Sequence, residues 1–177
     1  MGRSTRLSFA ARSNPWPGRS FLAWYHACVG VFTTEIELSN EADEILVRRG
    51  YWELSGIRRE VVSAVVDSGA TMLVIPSDLA GRLGLDVVDR KFIGIADGSV
   101  LECDVVGPVK IRFGDRTSIG SAISMPARAN VLLGALQMEE MDLIIDPLGQ
   151  RLIPNPRSPD RAMALAVGVI AFGPAPA

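Results

Sequence analysis

Between Phe32 and about Pro156 the apolar residues come in short β-branched runs cut by turn residues, and few stretches keep a helical period. "FTTEIELS" alternates, and "EILVRRGYWEL" reads as a second strand continuing past a turn. In "REVVSAVVD" the residues Val61, Val62, Val65 and Val66 mark a strand buried on one or both faces. "PSDLAGRLGLD" is the clearest helix, with Ser77 as N-cap, Asp78 at the positive end, Leu79 and Leu83 on one face and Gly84 as the left-handed stop. Asp97-Gly98 lies between two apolar runs and predicts a tight hairpin, and Gly114-Asp115 predicts a second. "ANVLLGALQMEEMDLIIDPLGQRLI" then reads as a buried strand ending at Gly134, a turn or so of helix, and a last hairpin at Pro147-Leu148-Gly149. The sum is a mostly-β domain with one or two short helices.

At 177 residues the chain accommodates one ordinary domain with loose ends. Its 48% apolar and 6% aromatic content predicts an aliphatic core, and a net charge of -2 offers no basic field for nucleic acid. Cys28 and Cys103 have no metal-ligand spacing, and His26, the only histidine, lies far from any nucleophile-like motif. No metal or cofactor is therefore expected. Residues 1–30 read as an unassigned leader, 31–156 as the folded domain and 157–177 as an unassigned tail. Arginines before "FLAWYHACVGVF" resemble a signal peptide, but Tyr25 and His26 interrupt the run and no cleavage site follows; a translation start near Val29 is the alternative. The apolar run of the tail is too short to span a bilayer. A cytoplasmic location is the expectation, with export as the competing one.

The stretch "AVVDSGATMLVIP" carries Asp67 to the end of a buried strand, where a carboxylate is expensive unless donors meet it. Ser68 and Thr71 offer hydroxyls, and Gly69 permits a tight turn whose N–H groups can point at the acid. Read alone, "DSGAT" is equally well a turn that ends a strand.

Three segments in order favour the poised acid. "VVDSGATMLVIP" at 65–76 resembles the active-site motif of retropepsin-like (retroviral-type) aspartic proteases. "GIADGSV" at 94–100 is similar to that family's flap hairpin, and "NVLLG" at 130–134 to its second signature. The resemblance runs from about Phe32 to Pro154, with serine where threonine commonly follows the aspartate. It implies a small closed β-barrel with a flap, working as a homodimeric aspartic endopeptidase on a peptide or protein substrate. Asp67 would be the acid/base, and Ser68, Gly69, Ala70 and Thr71 would support its loop, Ser68 by bonding across the dimer and Thr71 from behind. Ile95, Ala96, Asp97 and Gly98 would form the flap over substrate, while Leu132, Leu133 and Gly134 would pack behind the loop as scaffold. Ile75, Ile93 and Ile95 would supply apolar pocket walls.

The chemistry needs two carboxylates facing one water, and the chain has a single "DSG". The second acid must come from a second identical chain, with "TTEIEL" or "RLIPNP" as the terminal strands expected to close the dimer. A peptide-binding module of the same fold that cleaves nothing is the alternative.

Overall fold

The backbone polar groups of all these strands must be paired, and the chain does so by curling one sheet into a ring. The computed structural model describes residues 32–94, 98–126 and 129–163. In order come β1 (Thr33–Asn40), α1 (Glu41–Arg48), a 3-10 turn (Leu54–Gly56), β2 (Arg59–Val66), β3 (Leu73–Pro76), α2 (Ser77–Arg82) and β4 (Asp86–Gly94). They are followed by β5 (Val100–Phe113), β6 (Arg116–Met125), β7 (Val131–Leu133), α3 (Ala135–Glu140), β8 (Leu143–Asp146) and β9 (Arg151–Pro154). The strands run β1-β2-β7-β3-β6-β5, and β5 pairs back onto β1, closing the barrel; β4 hangs on β5 outside the ring. The pair β8-β9 forms a separate two-stranded sheet. This is the small closed β-barrel of the retropepsin-like type.

Alternation fills the barrel. Ile36 and Leu38 of β1, Ala64 and Val66 of β2, Leu73 and Ile75 of β3, Val109 and Ile111 of β5, and Leu133 of β7 point into one aliphatic core. Leu79 and Leu83 close it from α2, and Met138 and Met141 from α3 and its end.

The segment read as a second strand, "EILVRRGYWEL", is instead the helix α1 followed by turns and the 3-10 segment. Asn40 accepts hydrogen bonds from the Ala42 and Asp43 N–H groups at its start, Glu41, Asp43 and Glu44 occupy the first turn, and Arg48 the last. Capping and helix-end charge thus overrule the strand preference of Ile45 and Val47. This brings the short α-helices among the described residues to three. Arg58 then grips Asp43 through Nε at 2.8 Å, Nη2 at 2.7 Å and its own backbone N–H at 3.1 Å, fixing where the chain enters β2. Ser77 is the first helical residue and not the N-cap, which is Pro76. The Gly84 stop does lie at φ +58, and Asn40 donates to the carbonyls of Leu83 and Gly84.

The strands flanking each of the three predicted hairpin turns pair antiparallel. Phe113 pairs with Arg116 around Gly114-Asp115, and Asp146 with Arg151 around residues 147–150. In the first hairpin Gly94 pairs with Val100, and Asp97 of the expected turn lies outside the described residues.

Candidate active site

The strand β2 arrives with Ala64 and Val66 buried, and its parallel pairing to β7 continues one residue further, because the Asp67 N–H donates to the Leu133 carbonyl at 3.1 Å. There the chain turns. The Ala70 N–H donates back to the Asp67 carbonyl at 3.2 Å, and the Gly69 N–H donates to Asp67 Oδ1 at 2.8 Å. Past the turn, the carbonyls of Ala70 and Thr71 accept from the N–H groups of Ala135 (2.8 Å) and Leu136 (3.1 Å). These two donors open α3 and have no partner within the helix, so the aspartate loop satisfies the helix start while the helix start anchors the loop.

Gly134 makes that approach sterically feasible. A Cβ there would lie 2.5 Å from the Met72 carbonyl oxygen, 2.7 Å from its carbon and 2.8 Å from its nitrogen. Its backbone, φ -85 and ψ 170, is one any residue adopts, so close packing alone requires the glycine.

The Asp67 side chain is half-buried, while Ser68, Gly69 and Thr71 are exposed. Neither the Ser68 nor the Thr71 hydroxyl hydrogen-bonds to another described residue, so within one chain the donor to the carboxylate is an amide and not a hydroxyl. Thr71 is exposed, and its backbone carbonyl accepts from the Leu136 N–H.

Beside Asp67 opens a cleft of about 730 Å³, lined by Gly69, Ala70, Thr71 and Met72 of the loop, Val74, Phe92, Ile93 and Gly94, Ile123, Met125 and Leu132. The register explains the wall: Val74 pairs with Ile123 on one side and with Leu132 on the other, so three side chains stand in a row. Leu132 therefore faces the cleft, and Leu133 alone of the pair is buried behind the loop. Ile75 is fully buried in the core and contributes no wall, since β3 alternates and Val74 takes the outward position. Ile93 is a lining residue as expected; Ile95, Ala96 and Asp97 lie outside the described residues. Gly98, at φ +86, is exposed next to β5.

The sequence reading missed Met72, Val74, Phe92, Gly94, Ile123 and Met125. The signal was present as alternation along β3 and β6, but assigning a face requires the pairing partners. Behind the wall, the Cys103 thiol sits 3.4 Å from Met125 Sδ, and burial pushes that thiol up from its ordinary pKa. Among the described residues Asp67 is the one charged residue in the lining. Among the described residues no three His, Cys, Asp or Glu side chains gather as a metal would require, and His26 and Cys28 lie outside those residues. A carboxylate lining a mainly apolar cleft, held by the Gly69 amide on a loop between two strands, is equipped for acid-base work on a bound chain.

Comparison with known proteins fits this geometry. Residues 53–136 match the family model described as aspartyl protease, a span from the approach to β2 through the aspartate loop, β4 and β5 to the start of α3. No curated protein matches the chain. With the loop, the cleft and the closed barrel in place, the match supports an aspartyl protease of the retropepsin-like type.

Proposed function

We propose that the protein is a homodimeric aspartic endopeptidase in which Asp67 of each chain supplies half of one catalytic pair. The observation that carries this reading is the position of Asp67: the single charged group among the described residues of a mainly apolar cleft, on a loop fixed by four backbone hydrogen bonds, those of the Asp67, Ala70, Ala135 and Leu136 N–H groups. One chain offers one such acid, and exposed Ser68 and Gly69 beside it leave room for a second copy of the loop. Across a two-fold axis the two carboxyls share one proton. The ionised one takes a proton from the attacking water, and the protonated one polarises the scissile carbonyl. The Ser68 hydroxyl, unpaired among the described residues of its own chain, bonds to the other copy's loop. Gly94 and the hairpin beyond it, residues 95–98 included, cover an extended peptide with backbone groups. Met72, Val74, Ile123, Met125 and Leu132 receive its apolar side chains.

The test is cleavage of a mixed peptide library by wild type and Asp67→Asn. The amide keeps the shape and cannot accept the water's proton, so turnover should fall by several orders of magnitude while the fold persists. Equal cleavage by both proteins overturns the reading.

A further inference from the structure

The helix α3 holds the aspartate loop through the Ala135 and Leu136 N–H groups, yet it is six residues long and no side chain caps its start. So short a helix is marginal by itself, and its position depends on what fixes its far end. There Asp142 donates its N–H to the Glu139 carbonyl at 3.0 Å and takes φ +51, a region that asparagine or glycine fills as readily as aspartate. Backbone conformation does not select the acid; its partners do. The carboxylate accepts from Asn155 Nδ2 at 2.8 Å, from the Met163 N–H at 2.9 Å and from the Ser158 hydroxyl, while the Asp142 carbonyl accepts from the Asn155 N–H at 2.9 Å. Arg116, buried at the start of β6, closes the ring. Its Nη2 donates to the carbonyls of Ser158 and Pro159, and its Nη1 lies 3.8 Å from Asp142. From there β6 runs on to Ile123 and Met125 in the cleft wall.

We propose that Asp142 is a positioning residue for the reaction above: it gathers residues 155–163 across the end of α3, and the helix so fixed sets the aspartate loop. The inference rests on the reading of Asp67 as a catalytic acid. Asp142 does not line the cleft, so it acts through α3, a helix of about 9 Å whose other end bonds to the carbonyls of Ala70 and Thr71. Without the carboxylate three donors lose their acceptor. Among the described residues the buried Arg116 then keeps only the exposed Asp115, at 3.6 Å, as a countercharge. Residues 155–163 lift to rehydrate these groups, and α3 tilts with nothing across its end. A tilt that moves the loop by about 1 Å lowers turnover on the order of a hundredfold.

Steady-state cleavage of a peptide taken from the library, together with amide exchange, tests this on the full chain with Asp142→Ala and Asp142→Asn. The control is Val109→Ala, at a fully buried site of β5 that pairs with Asn40, at the end of β1 away from the aspartate loop. Asp142→Ala should lower kcat at least about tenfold with KM within about twofold of wild type. It should also speed exchange of the Ala135 and Leu136 amides at least about tenfold relative to those of β5. Asp142→Asn suits φ +51 and still accepts hydrogen bonds, so the same changes should be smaller, at least about threefold, and it carries the test if the alanine variant does not fold. Val109→Ala should lower the urea midpoint and leave kcat unchanged. Folded Asp142 variants with a lower midpoint but wild-type kcat, or with wild-type exchange at those two amides, overturn the inference, as does a control whose kcat falls as far. If the wild type cleaves nothing, the endopeptidase reading fails and exchange alone decides: faster Ala135 and Leu136 amides sustain the hold of Asp142 on the loop, and unchanged ones overturn it.

Discussion

Replacing Gly134 by alanine isolates the contact on which the aspartate loop depends. Since φ -85 suits alanine, the whole effect comes from the methyl group, which would start 2.5 Å from the Met72 carbonyl oxygen. Ordinary contact begins near 3.4 Å, so the link between β7 and α3 must retreat from the loop by roughly an ångström. Overpacking against backbone costs about 1–3 kcal/mol. The retreat also lengthens the hydrogen bonds from Ala135 and Leu136 to the loop carbonyls, each worth about 1 kcal/mol net. The expected loss is about 2–5 kcal/mol, read as a lower urea midpoint with an unchanged slope. Turnover should fall on the order of a hundredfold, because a loop displaced by about 1 Å no longer presents Asp67 correctly. Gly81→Ala is the matched control: a Cβ there meets nothing within 4 Å inside α2, and alanine should stabilise by about 0.5–1 kcal/mol. A Gly134→Ala protein with the wild-type midpoint and turnover would refute the argument.

Neighbouring positions of β7 should separate stability from recognition. Leu133→Ala empties a fully buried site and should cost about 2–4 kcal/mol, whereas Leu132→Ala, on the cleft wall, should cost about 1 kcal/mol or less and change which peptides are cleaved; denaturation and library profiling compare the two. Acid should weaken the fold through Asp43 and Asp142. Hydrogen bonds from Arg58 to Asp43, and from Ser158, the Met163 N–H and Asn155 to Asp142, hold these carboxyls below their unfolded pKa near 4. Their contribution is therefore full above about pH 4 and lost as pH falls through the folded values, so Tm should drop in that range. Asp43→Asn should be less stable than wild type at neutral pH and show a shallower acid limb; parallel limbs in Tm against pH would contradict this.

The sequence by itself determined what rests on short-range chemistry. β-branched runs between turn residues dictated a mostly-β domain, and Gly84, Gly114 and the Pro147 turn marked its punctuation, because positive φ and hairpin closure are local properties. The motif around Asp67 pointed to the acid at the cleft floor for the same reason: a carboxylate directly after a buried strand is a local anomaly. Tertiary structure decided the rest. The segment 41–48 became a helix once Asn40 capped it and Arg58, 15 residues beyond Asp43, held its first turn. Which of Leu132 and Leu133 faces the cleft, and whether Val74 or Ile75 lines it, follows from the pairing of β3 with β6 and β7, strands far apart in the chain. Gly134 carries no local need for glycine, and only the Met72 backbone, 62 residues earlier and packed against it, forbids a side chain there. Period-two alternation gives the two faces of a strand, but which face is wet is a property of its neighbours.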